Sequence, residues 1–161
     1  MASFIQTLSQ SYNLSILCLP AYHLLAMAPH AYAVSLGARA FENNQWDNRN
    51  PRSSTLKSTL QQRLSADIYA RYERAEACSA NGFENLPLFA AAIVLGNIAR
   101  LGDDFMNMFA LSVLVVRSVY SVVYVRGVNQ GWAWARSLFW GVFVGLCWNV
   151  LIKASKSMAG K

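Results

Sequence analysis

Charged residues are scarce in this chain of 161 residues, making up 14% of the composition against about 25% in an average soluble domain. Hydrophobic residues make up 55% and the mean hydropathy is +0.25. Disorder is excluded, because a disordered chain needs low hydrophobicity and high charge. A soluble globular domain is disfavoured, because too few charges remain to cover its surface. The net charge of +6 does not indicate nucleic-acid binding, which requires a hydrophilic basic face.

Metal-ligating residues are also few. The only two histidines, His23 and His30, have no closely spaced partners, so no metal site is expected. Cys18, Cys78 and Cys147 show neither a metal-ligand spacing nor a disulfide framework, and each lies in or beside an apolar run. We interpret these cysteines as small buried side chains, and the histidines as packing residues rather than proton relays.

Four apolar stretches are long enough to cross a membrane, since a spanning helix needs about 20 mostly apolar residues. They cover approximately residues 14–36, 78–99, 105–125 and 132–152. The last three are joined by short links, which make consecutive helices antiparallel neighbours. The sequence therefore predicts an all-α integral membrane protein, a four-transmembrane-helix up-down bundle that forms one domain over residues 1–161.

The sizeable polar stretch between the first two spans is residues 37–77. It begins with turn-forming residues and then favours a helix from about Ser58, because apolar residues recur at four-residue steps. Those residues are Leu60, Leu64, Ile68 and Tyr72. We expect this helix to run unbroken into the second span.

The distribution of cations predicts the orientation. One side of the bundle holds nine cations, namely Arg39, Arg49, Arg52, Lys57, Arg63, Arg71, Arg74, Arg126 and Arg136. The opposite side holds four, namely Arg100, Lys153, Lys156 and Lys161. Positively charged loops stay in the cytosol, so the first and third loops are expected there, with both termini in the lumen.

Strongly polar residues from three different spans fall at one depth near the cytosolic side. Arg117 lies about 12 Å inside its span, Glu84 about 9 Å and Arg136 about 6–8 Å, at 1.5 Å rise per residue. A buried charge needs a partner, and a Glu84–Arg117 ion pair is one interpretation. The remaining cations have no acid at this depth, and arginine suits carboxylates and phosphates, so the layer also favours an anionic ligand from the cytosol.

Several of these residues resemble motifs of the MAPEG family, the membrane-associated proteins of eicosanoid and glutathione metabolism. The second span resembles the second-helix motif of that family through Arg74, Ala77, Asn81, Glu84, Asn85, Pro87 and Phe89. The third and fourth spans add Arg117, Tyr120, Tyr124, Arg126, Arg136 and Ser137. The element from Asp47 to Arg52 is similar to the first loop of microbial-type members. Ala77 and Ala80 stand where family members that act on eicosanoids have arginine.

The resemblance implies a homotrimer in an internal membrane such as the endoplasmic reticulum. It also implies a glutathione site between neighbouring subunits, open to the cytosol, where a hydrophobic electrophilic substrate arrives from the bilayer. By resemblance, Arg136 stabilises the glutathione thiolate and Ser137 donates a hydrogen bond to the sulfur. The residues expected to bind glutathione are Arg74, Asn81, Glu84, Arg117, Tyr120, Tyr124 and Arg126.

Three functions remain open at this point. The first is a glutathione-dependent membrane transferase, peroxidase or isomerase. The second is an isomerase or cyclase of the same fold that dispenses with glutathione and applies acid–base chemistry to an apolar metabolite. The third is a scaffold that binds lipid without chemistry. Dependence on a thiol distinguishes the first from the second, and any turnover distinguishes both from the third.

Overall fold

The computed structural model describes residues 13–51 and 53–160, and these residues form five α-helices and no strand. The helices are α1 (Leu14–Gly37), α2 (Ser54–Arg63), α3 (Ala66–Ile98), α4 (Asp103–Arg126) and α5 (Gln130–Met158). All except α2 are long and apolar enough to cross a membrane. The predicted all-α architecture with four spans is therefore confirmed. Two of the cations used to predict orientation, Arg52 and Lys161, lie outside the described residues.

The helices begin at residues that suit helix starts. The side-chain oxygens of Asn13, Ser53 and Asn129 each accept a hydrogen bond from the backbone N–H three residues further on, at the starts of α1, α2 and α5. Asp103 and Asp104 occupy the first turn of α4, where negative charge complements the helix dipole. The capping chemistry of the sequence therefore sets these boundaries.

The four long helices pack around one apolar core. Helix α1 lies against α3 and α4, and α5 lies against the other faces of α3 and α4. The core side chains include Tyr22, Phe89, Val113, Phe143 and Cys147, each almost fully buried. All three cysteines lie within the described residues and are buried and unpaired there, as predicted.

Helices α1 and α3 approach each other closely at Gly82. A Cβ atom added to Gly82 would lie 2.8 Å from the Cβ atom of Ala26, a separation that carbon atoms do not tolerate. Two hydrogen bonds cross the same contact: the Tyr22 hydroxyl donates to the Gly82 carbonyl at 3.2 Å, and the Ser79 hydroxyl donates to the Ala26 carbonyl at 2.8 Å. Gly82 therefore fixes how α3 is turned about its axis.

The connection between α1 and α3 folds over one end of the bundle, which we call the loop end. Its apolar side chains form a second buried cluster with the adjoining turns of α1 and α3: Ala33, Leu36, Ala40, Leu56, Leu60, Leu64, Tyr72 and Ala75. The predicted apolar four-residue spacing is thus confirmed, because three of its members are buried here and Ile68 packs against them. The connection acts as a cap on this end of the bundle.

The expectation of one unbroken helix from Ser58 into the second span is wrong. The chain leaves the helical conformation at Leu64 and Ser65, whose ψ angles are 152° and 151°. Helix α3 then starts afresh with Asp67 in its first turn, a placement that stabilises a new helix N-terminus. The break lets α2 lie back over the loop end while Leu64 stays buried.

The Asp47–Arg52 element forms a local ion pair in this cap. The Asp47 carboxylate accepts hydrogen bonds from the Arg49 backbone N–H at 3.0 Å and from its guanidinium Nη2 at 2.9 Å. These hydrogen bonds lower the pKa of Asp47 to about 2. Asp47 therefore stays ionised over the physiological range, and Arg49 is engaged locally.

Replacing Gly82 with alanine tests the close contact of α1 and α3. In an open helix position, Gly→Ala stabilises by about 0.5–1 kcal/mol. Here the methyl group must displace Ala26, so we expect Gly82→Ala to lower the free energy of unfolding by about 1–3 kcal/mol. Thermal unfolding in mild detergent measures the change.

The matched control is Gly141→Ala in α5, where an added Cβ atom meets nothing within 4 Å in the described part of the chain. This control should melt at the wild-type temperature or above. A Gly82→Ala variant as stable as the control would contradict the close contact.

Candidate functional site

An open cavity of about 280 Å³ lies at the loop end between α3, α4 and α5. Arg74 of α3, Tyr124 of α4 and Arg136 of α5 all line it. The Arg136 guanidinium carbon lies 4.5 Å from the centroid of the Tyr124 ring, within the range of a cation–π contact. The Nε atom of Arg74 donates to the Val125 carbonyl at 3.1 Å. Three of the predicted site residues, from three helices, therefore meet in one cavity.

The first turn of α5 forms another wall of this cavity. A short link joins α4 to α5, and Gly127 within it permits a tight approach: an added Cβ atom would lie 2.7 Å from the Trp132 Cβ atom. Asn129 caps α5 by accepting from the Trp132 N–H at 3.2 Å. The preceding N–H groups of Gln130 and Gly131 belong to the helix N-terminus, where backbone donors have no acceptor within the helix.

The cavity is suited to an anion. Its described lining residues include two arginines and no acid, and the N-terminus of α5 adds partial positive charge. Within the described part of the chain, Arg74 makes one hydrogen bond and Arg136 makes none, so most of the five N–H donors of each guanidinium remain available. Arginine forks in this state bind carboxylates or phosphates in a bidentate manner.

A second group of predicted residues is buried inside the bundle. Arg117 is 3% exposed, and its Nη1 atom donates to the Asn81 side-chain oxygen at 3.0 Å. The Arg117 guanidinium carbon also lies 4.3 Å from the centroid of the Tyr120 ring. Tyr120 in turn contacts the ring of Tyr124 at 5.5 Å. These contacts link the buried arginine to the lining of the cavity.

The predicted Glu84–Arg117 ion pair is wrong. Glu84 is exposed, and within the described residues it forms no salt bridge. The cause is the orientation of α3: Gly82 faces α1, which places Asn81 towards Arg117 and leaves Glu84 on the outer surface. A neutral amide therefore takes the place expected for the carboxylate.

The two remaining predicted residues do not line the cavity. Ser137 is exposed, and its hydroxyl donates to the Ala133 carbonyl at 3.2 Å. Arg126 lines a different cavity, together with Arg71. The structure thus divides the predicted set into a cavity group, a buried group and outlying residues.

A set of polar side chains joins α3 to α5 and had no predicted role in the site. The Trp140 indole N–H donates to the Asn85 side-chain oxygen at 3.3 Å, and the Asn85 amide donates to the Asn81 carbonyl at 2.8 Å. Asn85 is buried. The signal available in the sequence was a second asparagine four residues after Asn81. These hydrogen bonds join α3 to α5 one turn from Asn81, the partner of Arg117.

Removing the Asn81 amide should destabilise the protein far more than removing the Glu84 charge. Asn81→Ala leaves a buried guanidinium without its hydrogen-bond acceptor, which costs about 1.5–3 kcal/mol. Glu84→Gln alters an exposed side chain and should change stability by no more than about 0.5 kcal/mol. Thermal unfolding of both variants in the same detergent compares them, and equal losses would restore Glu84 as the partner.

Comparison with known proteins adds an independent finding to this geometry. No curated protein and no solved structure matches the chain. A family model described as MAPEG family matches residues 16–155, a range that includes nearly all of the four long helices, the cavity at the loop end and the buried Arg117. Because the match covers most of the sequence, this integral, multi-pass membrane protein belongs to the MAPEG family, whose members are generally associated with glutathione.

Proposed function

We propose that this protein is a membrane-embedded enzyme that uses glutathione to act on a hydrophobic electrophilic substrate, as a transferase, peroxidase or isomerase. The supporting observation is the cavity at the loop end, which combines two guanidinium groups and a helix N-terminus with no acidic residue among its described lining. The family's general association with glutathione supports the same ligand.

The residues present fit glutathione, which has two carboxylates, an ammonium group and a thiol. The available donors of Arg74 and Arg136 match the carboxylates and the anionic form of the thiol. The cavity, at about 280 Å³, lies just below the ~300–1,000 Å³ of typical ligand pockets. Part of the ligand therefore needs contacts from elsewhere, and the exposed Glu84 carboxylate suits the ammonium group at a contact between subunits.

When bound, glutathione supplies a thiol as the nucleophile, and a free thiol has a pKa of about 8.5. A guanidinium beside the sulfur stabilises the thiolate and lowers that pKa, so we assign Arg136 to this task. The Tyr124 ring holds the Arg136 guanidinium at the cavity wall through their 4.5 Å contact. Ser137 is the proposed hydrogen-bond donor to the sulfur, for which its hydroxyl would turn away from the Ala133 carbonyl.

We further propose that the active protein is a homotrimer. Helix α5 exposes large apolar side chains, with Trp134 70% and Leu138 65% exposed, and such surfaces suit either lipid or neighbouring subunits. Assembly would bring the exposed Glu84 and Ser137 towards a ligand shared between subunits. The cation distribution favours a cytosolic loop end and lumenal termini. The family supports the endoplasmic reticulum or another internal membrane as the location.

One observation favours a second candidate, an isomerase or cyclase that dispenses with glutathione. Ala77 and Ala80 are both exposed on α3, so this surface lacks two possible cations beside Glu84. In that case the exposed carboxylate would serve acid–base chemistry on an apolar metabolite. The thiol dependence of any turnover distinguishes the two candidates.

Glutathione binding to the detergent-solubilised protein tests the main proposal. By calorimetry, we expect saturable binding at millimolar glutathione or below. Arg136→Ala should weaken binding about tenfold or more, since a hydrogen bond to a charged group contributes about 1.5–3 kcal/mol. The affinity of Arg136→Lys for glutathione should lie between those of the wild type and Arg136→Ala, because lysine keeps the charge and loses the forked donor geometry of the guanidinium. Arg39→Ala, which removes an exposed cation of the cap, is the matched control.

A second measurement reports on the thiolate directly. In the wild-type complex, ultraviolet absorbance of the thiolate should titrate below the free-thiol pKa of about 8.5. In Arg136→Ala the midpoint should move up towards that value, because the nearby cation is lost. Binding that is equal in wild type and in Arg136→Ala would refute the assignment of Arg136. An absence of glutathione binding to the wild type would favour the thiol-independent candidate.

Chemical crosslinking tests the assembly. With increasing crosslinker in mild detergent, we expect bands of one, two and three subunits and none beyond three. A clean monomer at saturating crosslinker would contradict a site shared between subunits.

A further inference from the structure

A second cavity, of about 600 Å³, opens between α1 and α4 and shares no lining residue with the cavity described above. We call it the α1–α4 groove. Most of its lining is apolar: Leu25, Ala28, Pro29, Val122 and Val125. Four polar side chains complete it: Tyr32, Arg71, Ser121 and Arg126. Its volume falls within the ~300–1,000 Å³ typical of sites for small organic ligands.

Among the described residues, no acid neutralises the two cations of the groove. Arg71 projects from the first turns of α3, and Arg126 is the last residue of α4. Both are exposed. Within the described part of the chain neither forms a salt bridge, and no described lining residue of the groove is acidic.

The apolar part of the groove extends into the membrane from these cations. Leu25 lies twelve residues before the end of α1 at Gly37, which corresponds to about 18 Å along the helix. Half the hydrocarbon thickness of a bilayer is about 15 Å. The groove therefore runs from the loop end to about the middle of the bilayer, with its charges at the outer end.

We propose that the α1–α4 groove binds an anionic phospholipid, whose phosphate lies between Arg71 and Arg126 and whose acyl chain lies along Leu25, Pro29 and Val122. Charge complementarity selects this occupant, because two unneutralised guanidiniums at interfacial depth require an anion and the apolar lining below them requires a hydrocarbon chain. Basic pockets between membrane helices bind acidic headgroups for this reason. Arg126 thus serves lipid binding rather than glutathione binding.

The test is a titration of the full-length protein with short-chain phosphatidylglycerol or phosphatidylcholine in detergent, followed by native mass spectrometry. We expect phosphatidylglycerol to bind more tightly, and glycerol phosphate, which has no acyl chain, not to compete. Arg71→Gln with Arg126→Gln should weaken phosphatidylglycerol binding about 25-fold, taking about fivefold per arginine from ~1 kcal/mol each. Val122→Trp, which fills the groove at an exposed position, should weaken binding without a change in charge.

The matched control is Arg39→Gln with Lys57→Gln, which removes two exposed cations of the cap outside the groove. It should retain wild-type affinity for phosphatidylglycerol. Equal loss in the control pair and the groove pair would overturn the proposal in favour of diffuse attraction. Equal affinity for both lipids would also overturn it. If Val122→Trp alters the number of subunits rather than lipid retention, the groove is a contact with a second copy and the proposal fails.

Discussion

The charge of Arg117 lies among apolar side chains, where an unpartnered cation costs at least about 2.5–3.5 kcal/mol on insertion scales. All four spanning helices contribute to its surroundings. Helix α4 provides the arginine and Tyr120, α3 provides the Asn81 amide, and the rings of Tyr22 from α1 and Phe143 from α5 lie 5.8 Å and 5.4 Å from the guanidinium. A shift of any one helix would therefore weaken the shell around this charge.

The cavity at the loop end depends on that shell. Tyr120 packs on the Arg117 guanidinium and contacts Tyr124, and the Tyr124 ring supports Arg136. The buried cation of Arg117 thus positions the half-buried cation of Arg136 through two aromatic rings. This arrangement needs no acid near the cavity, so the charge of Arg136 remains available to a ligand.

The features that could be predicted from the sequence are local ones. Span positions follow from apolar runs, and the four long apolar helices of the structure agree with them. The partner of Arg117 could not be predicted in this way. Asn81 and Glu84 lie three residues apart, and the rotation of α3 about its own axis decides which of them faces Arg117. That rotation depends on the contact of Gly82 with Ala26, which is a tertiary contact between two helices. A stripe of small residues, Ala75, Cys78 and Gly82, was the available signal in the sequence, and Glu84 lies outside that stripe.

The break at Leu64 and Ser65 could not be predicted for the same reason. It depends on the packing of α2 over the loop end, and this packing overrides the continuous helix that the regular apolar spacing predicts.

The link between α4 and α5 limits how the cavity at the loop end can change shape. Only residues 127–129 join the two helices, so the Cα atoms of Arg126 and Gln130 are four steps, or at most about 13–14 Å, apart. Packed helix axes are already about 8–10 Å apart, so α4 and α5 have little slack at this end. Two walls of the cavity are therefore stiff, and only the α3 wall, which bears Arg74, can yield to a ligand of different size.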